Sequence, residues 1–105
     1  MAKNWTAPQI AKHKVSDGNE PLVMLTAYDA PGGRMVSEAG ADIILVGDTL
    51  AMVVLGYEDT MQVTIEDMVH HTAAVARAEP DAFIVADLPW MSYHVSQEET
   101  VKNAA

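Results

Sequence analysis

Ile43-Ile44-Leu45-Val46-Gly47-Asp48 and Phe83-Ile84-Val85-Ala86-Asp87 are two short apolar runs, each ending on an aspartate. A run so hydrophobic and so short predicts a strand buried on both faces, the habit of a parallel sheet covered by helices. Parallel sheets bind ligands beyond the carboxyl ends of their strands, and both aspartates stand at that end. Neighbouring strands run about 4.8 Å apart, so carboxylates leaving adjacent strand tips can share one cation.

Pro21 to Tyr28 predicts a strand before these two. Asp29-Ala30-Pro31 then opens a helix with Met35, Val36 and Ala39 on one side, and Gly40 stands where a helix-terminating glycine belongs. Residues 42 to 47 and 82 to 87 are the second and third strands. Between them, Thr49 to Val63 lacks periodicity and reads as a functional loop. Thr64-Ile65-Glu66-Asp67 starts a helix like a capping box, and 3.6-residue spacing buries Met68, His71 or Thr72, Val75 and Ala76. At the front, Thr6-Ala7-Pro8 opens a helix through Ile10 and Val15 that stops at Ser16-Asp17-Gly18-Asn19. At the back, Ser96-Gln97-Glu98-Glu99 opens another, which runs to the last residue, Ala105, with no glycine or proline to end it. The order is a leading helix and then three βα units, with no hairpin signal.

An open sheet of three parallel strands covers its faces poorly and leaves exposed edges. A (β/α)8 barrel needs roughly 250 residues. The expectation is an α/β chain in which residues 1–105 form one partial domain, the front part of a TIM barrel, with no second domain.

Composition bounds the function. Half of the 105 residues are hydrophobic and 20% are charged, a globular balance. Six basic against 15 acidic residues give a net charge of −9, which repels phosphate backbones and argues against nucleic acid. Without cysteine there is no disulfide and no thiolate zinc site, which fits a reducing cytoplasm. The start Met1-Ala2-Lys3-Asn4-Trp5 lacks the apolar core of a secretory signal, and no stretch reaches membrane-spanning length. The expected location is cytoplasmic, away from membranes.

One aspartate after a strand is ordinarily a cap for the following turn. Two at matching positions on sequential strands point to a site instead. Hard oxygen donors, with neither cysteine nor clustered histidine, select Mg²⁺ or Mn²⁺ over zinc. Thr49, directly after Asp48, offers a hydroxyl to a carboxylate that also reaches the metal, although a loop threonine more often satisfies its own backbone. Asp29 reads as a helix-opening residue and Tyr28 as part of the mouth. Gly47 and Gly56 suit close backbone approach or positive φ but match no phosphate loop. Adjacent on one helix, His70 and His71 point about 100° apart and cannot share an ion, so one is exposed and the other packs on the sheet. His13 and His94 stand alone. Trp90 and Tyr93 could wall a pocket or pack against the end of the barrel.

Leu25-Thr26-Ala27-Tyr28-Asp29, Leu45 to Val53, Val63-Thr64, His70-His71-Thr72 and Val85-Ala86-Asp87-Leu88-Pro89 together resemble the ketopantoate hydroxymethyltransferase family. The resemblance implies a (β/α)8 barrel of the phosphoenolpyruvate-mutase and isocitrate-lyase type, assembled as a homo-decamer. It implies Mg²⁺ held by Asp48 and Asp87, with Asp48, Thr49 and Asp87 binding the substrate 3-methyl-2-oxobutanoate. The co-substrate it implies is 5,10-methylenetetrahydrofolate, attacked by the enolate of the keto acid in pantothenate biosynthesis. Thr49 stands where the family usually has serine, Ala51 where it often has glycine, and Met61-Gln62 replaces a common Leu-Pro. The family's general base lies downstream of the position that Ala105 occupies, so this chain alone is expected to lack a catalytic base and to be inactive. Two other readings remain open: a Mg-dependent C–C lyase of the isocitrate-lyase type, and a non-catalytic assembly fragment.

Overall fold

The computed structural model describes residues 4–105, so Met1 to Lys3, part of the start read for a leader, lie outside the described residues. Three parallel strands, β1 (Met24–Thr26), β2 (Ile43–Val46) and β3 (Phe83–Ala86), form one sheet in the order β1-β2-β3. The register pairs Thr26 with Leu45 and Val46 with Ala86. The helices are α1 (Ala7–Lys12), α2 (Ala30–Glu38), α3 (Leu50–Val53), α4 (Ile65–Arg77) and α5 (Gln97–Ala104). The βα alternation read from the sequence is therefore present, in an α/β fold. Among the described residues no helix is long and apolar enough to cross a membrane.

The connections α2 and α4 pack against each other and against the sheet. Strand side chains alternate between faces. Ile44 and Val46 of β2 therefore point the same way, into a core that also holds Met68 and Val75 of α4 and Ala27. Gly33 makes the approach of the two helices possible: a Cβ there would sit 3.1 Å from Val75 Cγ1.

Only the central strand is buried as expected. Met24, Leu25 and Thr26 of β1 are all exposed, and so is Ala86 of β3, because each outer strand has a neighbour on one side only. The first strand is also shorter than Pro21–Tyr28. Val23 N–H is taken by the Asp42 carboxylate at 2.9 Å, and the Val23 carbonyl accepts from both Asp42 and Ile43, so regular pairing begins at Met24.

The capping chemistry follows the sequence closely. Thr64 and Asp67 exchange side-chain and backbone bonds at 3.1 and 3.0 Å at the start of α4, and Thr6 with Gln9 does the same for α1. Asp29 Oδ1 accepts from Gly32 N–H at 2.7 Å and caps α2. At the other end of α2, Gly40 (φ +99°) bonds back to Ser37 and Ala41 to Val36, a Schellman ending.

Four details depart from the sequence reading. Helix α1 ends at Lys12 rather than running through Val15: His13 turns extended and its ring Nε2 bonds the Glu20 carbonyl at 2.6 Å, and a 3-10 turn spans Val15–Asp17. On α2, Met35 and Ala39 face solvent; Gly33 is buried and Val36 packs against the core. On α4, Ala76 is exposed, and the seam that reaches the core is Met68 and Val75 with His71 and Thr72 half-buried. Each residue turns the helix by about 100°, so the single step past Val75 carries Ala76 off the apolar face. At the back, α5 ends at Ala104 rather than running through Ala105, which caps it: the Ala105 N–H donates to the Val101 carbonyl at 3.0 Å.

Candidate functional site

The register decides how the two strand-end aspartates meet. Continuing the β2–β3 pairing by one residue sets Asp87 level with Gly47, not with Asp48. The aspartates are thus one position out of step, a correction to the matching positions expected. Asp29 is level with Asp48 when the β1–β2 pairing is continued, but its carboxylate is committed to capping α2.

The offset is bridged through the backbone. Asp87 Oδ2 accepts the Asp48 N–H at 3.0 Å, while Asp87 N–H itself extends the ladder to the Val46 carbonyl. Gly47 lies beside this bond: a Cβ there would make ordinary contacts with Asp87 Oδ2 at 3.5 Å and Thr49 Oγ1 at 3.4 Å, so the position does not require glycine. The sequence suggested close approach or positive φ at both glycines; Gly56 has the positive φ (+79°), whereas Gly47 shows neither.

Burial, and then the charge of Asp87, raise the Asp48 carboxyl above its ordinary pKa, with a bond from its own backbone N–H pulling the other way. The two carboxylates therefore feel each other. Repulsion of this kind is relieved by a proton or by a cation held between them. Among the described residues, no three His, Cys, Asp or Glu side chains come together as a ready metal cage. Both donors are hard oxygens, and Mg²⁺ is commonly held by one or two carboxylates with water and ligand oxygens completing its shell, so the pair fits that ion.

After Asp48 the chain turns straight into α3, within the stretch expected to be loop. Four residues are too few to show periodicity, so no sequence signal announces this helix. Leu50 and Ala51 are fully buried and anchor the turn, so Ala51 is a packing residue. Thr49, just before α3, makes no side-chain cap; its Oγ1 instead meets the Tyr28 hydroxyl at 3.3 Å. The carbonyl of Tyr28 is held by His71 Nδ1 at 2.7 Å, and because a carbonyl only accepts, Nδ1 carries the proton. Tyr28 is thus tied from β2 and from α4. The sequence placed Tyr28 at the mouth and one of His70 and His71 against the sheet, but no spacing rule linked either to Thr49. Of the two adjacent histidines, His70 is the exposed one and His71 the half-buried one.

Trp90 and Tyr93 are about half exposed; Tyr93 stacks near His94 with ring centroids 4.2 Å apart. Asp87 and Leu88 line a cavity of about 350 Å³ with residues of α4, α5 and Ala105. Ala105 marked the point past which the catalytic base was expected. Its methyl side chain can neither take nor give a proton, so it is a lining and capping residue of this cavity and no part of the acid–base chemistry. A larger cavity, about 850 Å³, lies at the amino ends of the strands, lined by Trp5, Lys12, His13 and Asp42 among others. Size favours the latter, but the paired carboxylates and the Thr49 hydroxyl lie at the carboxyl ends, where parallel sheets carry their chemistry.

The protein-family model described as ketopantoate hydroxymethyltransferase matches residues 4–105. The chain is 59% identical over 91 residues to a 3-methyl-2-oxobutanoate hydroxymethyltransferase of Geobacillus sp. (strain WCH70), covering 87% of this chain and 33% of the relative. It is 58% identical over 92 residues to the protein of the same name from Bacillus subtilis (strain 168), covering 88% of this chain and 33% of the relative. With the Bacillus pumilus (strain SAFR-032) protein of that name the identity is 60% over 92 residues, with 88% and 33% covered. The chain spans about a third of the length of the curated relatives it matches.

Proposed function

The chain belongs to the ketopantoate hydroxymethyltransferase family, and we propose that its Asp48–Asp87 rim binds Mg²⁺ and 3-methyl-2-oxobutanoate for hydroxymethyl transfer from 5,10-methylenetetrahydrofolate. The observation that carries the reading is the bond from Asp48 N–H to Asp87 Oδ2, which brings two mutually repelling carboxylates to one strand-end rim. Family membership favours this over the C–C lyase alternative. The parallel order β1-β2-β3 supports reading the fold as consecutive units of a (β/α)8 barrel, whose chemistry sits on this same face.

When bound there, Mg²⁺ supplies Lewis-acid polarisation of a carbonyl oxygen and offsets developing negative charge. Asp48 and Asp87 hold the ion and, by their own charge, keep the site cation-selective. Thr49 offers one O–H to the carboxylate of the keto acid; threonine keeps the hydroxyl of the more usual serine and adds only a methyl group. Leu50 and Ala51, buried beneath, fix the turn that presents Thr49. Both rim acids are engaged with the cation in this reading, so neither is available to abstract a proton, and the chain by itself binds without turning over.

The test is ligand-observed NMR of 3-methyl-2-oxobutanoate with the 105-residue chain. The keto acid should broaden only when Mg²⁺ is added, and EDTA should reverse it. Binding of equal strength without the metal would remove the cation from the reading. Formation of ketopantoate at enzyme-like rates by this chain, given folate, keto acid and Mg²⁺, would overturn the division between binding and proton abstraction.

A further inference from the structure

We propose that Tyr28 is a positioning residue that donates its phenolic proton to Thr49 Oγ1 and thereby aims the Thr49 proton outward, at a carboxylate oxygen of the ligand. The inference rests on the reading of Thr49 as the carboxylate contact and adds a residue that no motif assigned.

A threonine hydroxyl has one proton and two acceptor positions, so its direction of donation is free until something fixes it. Here the Tyr28 hydroxyl lies 3.3 Å from Thr49 Oγ1. A phenol O–H is a stronger hydrogen-bond donor than an aliphatic hydroxyl, which favours Tyr28 as the donor. When Tyr28 donates, the acceptor side of Thr49 is occupied and its single proton is left for an acceptor outside the pair. Such chained hydroxyls polarise one another and strengthen the terminal donor. A stronger donor suits a rim where, beside the cation, the ligand carboxylate must sit close to the carboxylates of Asp48 and Asp87.

Tyr28 is suited to hold that position. It packs against the core cluster, and its carbonyl is pinned by His71 Nδ1–H at 2.7 Å from the middle of α4. Thr49 has backbone angles of φ −60° and ψ −12° and makes no side-chain cap, so its hydroxyl is not drawn into the turn. Three elements, the tips of β1 and β2 and the body of α4, thus converge on the orientation of one proton.

The experiment measures Mg²⁺ and keto-acid affinities of the 105-residue chain by calorimetry and NMR for the parent, Tyr28→Phe, Thr49→Ala, Thr49→Ser and the Tyr28→Phe/Thr49→Ala double variant. Tyr28→Phe keeps the packed ring and removes only the hydroxyl. Expected is keto-acid binding weaker by about threefold to tenfold for Tyr28→Phe, with Mg²⁺ affinity unchanged. Thr49→Ser should bind like the parent, and the double variant should be no weaker than Thr49→Ala. A parent-like Tyr28→Phe, or single effects that multiply in the double variant, overturns the proposal. So does an equal loss of Mg²⁺ affinity, which marks a purely structural role. Should Thr49→Ala weaken the keto acid while Tyr28→Phe does not, only the positioning role is lost. Should Thr49→Ala leave it unchanged, the carboxylate contact itself fails, and the role of Tyr28 with it.

Discussion

Asp87 holds Asp48 by its amide: Oδ2 accepts the backbone N–H at 3.0 Å although the two aspartates are one position out of step in the paired strands. One carboxylate oxygen thus fixes the neighbouring strand tip while the charge stays close enough to disturb the Asp48 carboxyl. A side-chain amide can accept the same N–H but carries no charge. Asp87→Asn should therefore keep the fold and weaken Mg²⁺ binding by tenfold or more, on the order of 1.4 kcal/mol. Titration calorimetry with matched circular dichroism checks this, and an unchanged isotherm would remove Asp87 from the cation site.

The same pair makes stability depend on pH. Burial and Asp87 raise the folded-state pKa of Asp48 above its ordinary 3.8. Below that value both folded and unfolded chains carry the proton, and Asp48 costs nothing. As pH rises through the window above 3.8, the unfolded chain releases the proton more readily than the folded one, and folding loses stability. Asp48→Asn should accordingly raise the melting temperature near neutral pH and leave it unchanged well below the ordinary carboxyl pKa. Mg²⁺ should stabilise the parent near neutral pH and do so less for the variant. A variant that melts below the parent at both pH values would show that the carboxylate contributes packing or bonds beyond these.

Helix α4 starts on a reciprocal cap, Thr64 Oγ1 with Asp67 N–H and Thr64 N–H with Asp67 Oδ2. Removing a hydroxyl cap costs about 1 kcal/mol. Thr64→Ala should lower the unfolding free energy in urea by that amount with an unchanged slope, while Thr64→Ser stays near the parent. His71 lies in the middle of the helix, so hydrogen exchange should quicken in the first turn and not at His71.

Much of this architecture was legible because it rests on local rules. The apolar runs at 43–46 and 83–86, the caps at Thr6, Asp29 and Thr64, and the glycine ending of α2 each follow from neighbours a few residues away. What the sequence concealed is set by register and by long-range contact. Whether Asp87 stands level with Gly47 or with Asp48 depends on how two strands slide, and nothing within either strand states it. The bonds from Tyr28 to Thr49 and His71 join residues 21 and 43 positions apart. Asp42 is concealed for the same reason: in sequence it is only the first residue of a strand, and its partners lie 19 and 37 residues away.

Asp42 ties the front of the chain to the sheet. It is 6% exposed, and its carboxylate accepts Trp5 Nε1–H at 3.2 Å and Val23 N–H at 2.9 Å, joining the segment before α1 to the start of β1. Bonds to a charged acceptor contribute about 1.5–3 kcal/mol, and stranding a partly buried donor adds its own desolvation cost. Trp5→Phe removes one donor and keeps an aromatic ring beside His13, so it should cost about 1.5 kcal/mol, the low end of that range. Asp42→Ala removes the acceptor of both bonds and leaves Val23 N–H without it, so it should cost more, about 2–4 kcal/mol. Asp42→Asn can still accept one of the two bonds and should fall between them. Urea unfolding followed by far-ultraviolet circular dichroism ranks the three. Equal effects of Asp42→Ala and Trp5→Phe would mean that the tryptophan contact, not the support of Val23, accounts for the burial of this carboxylate.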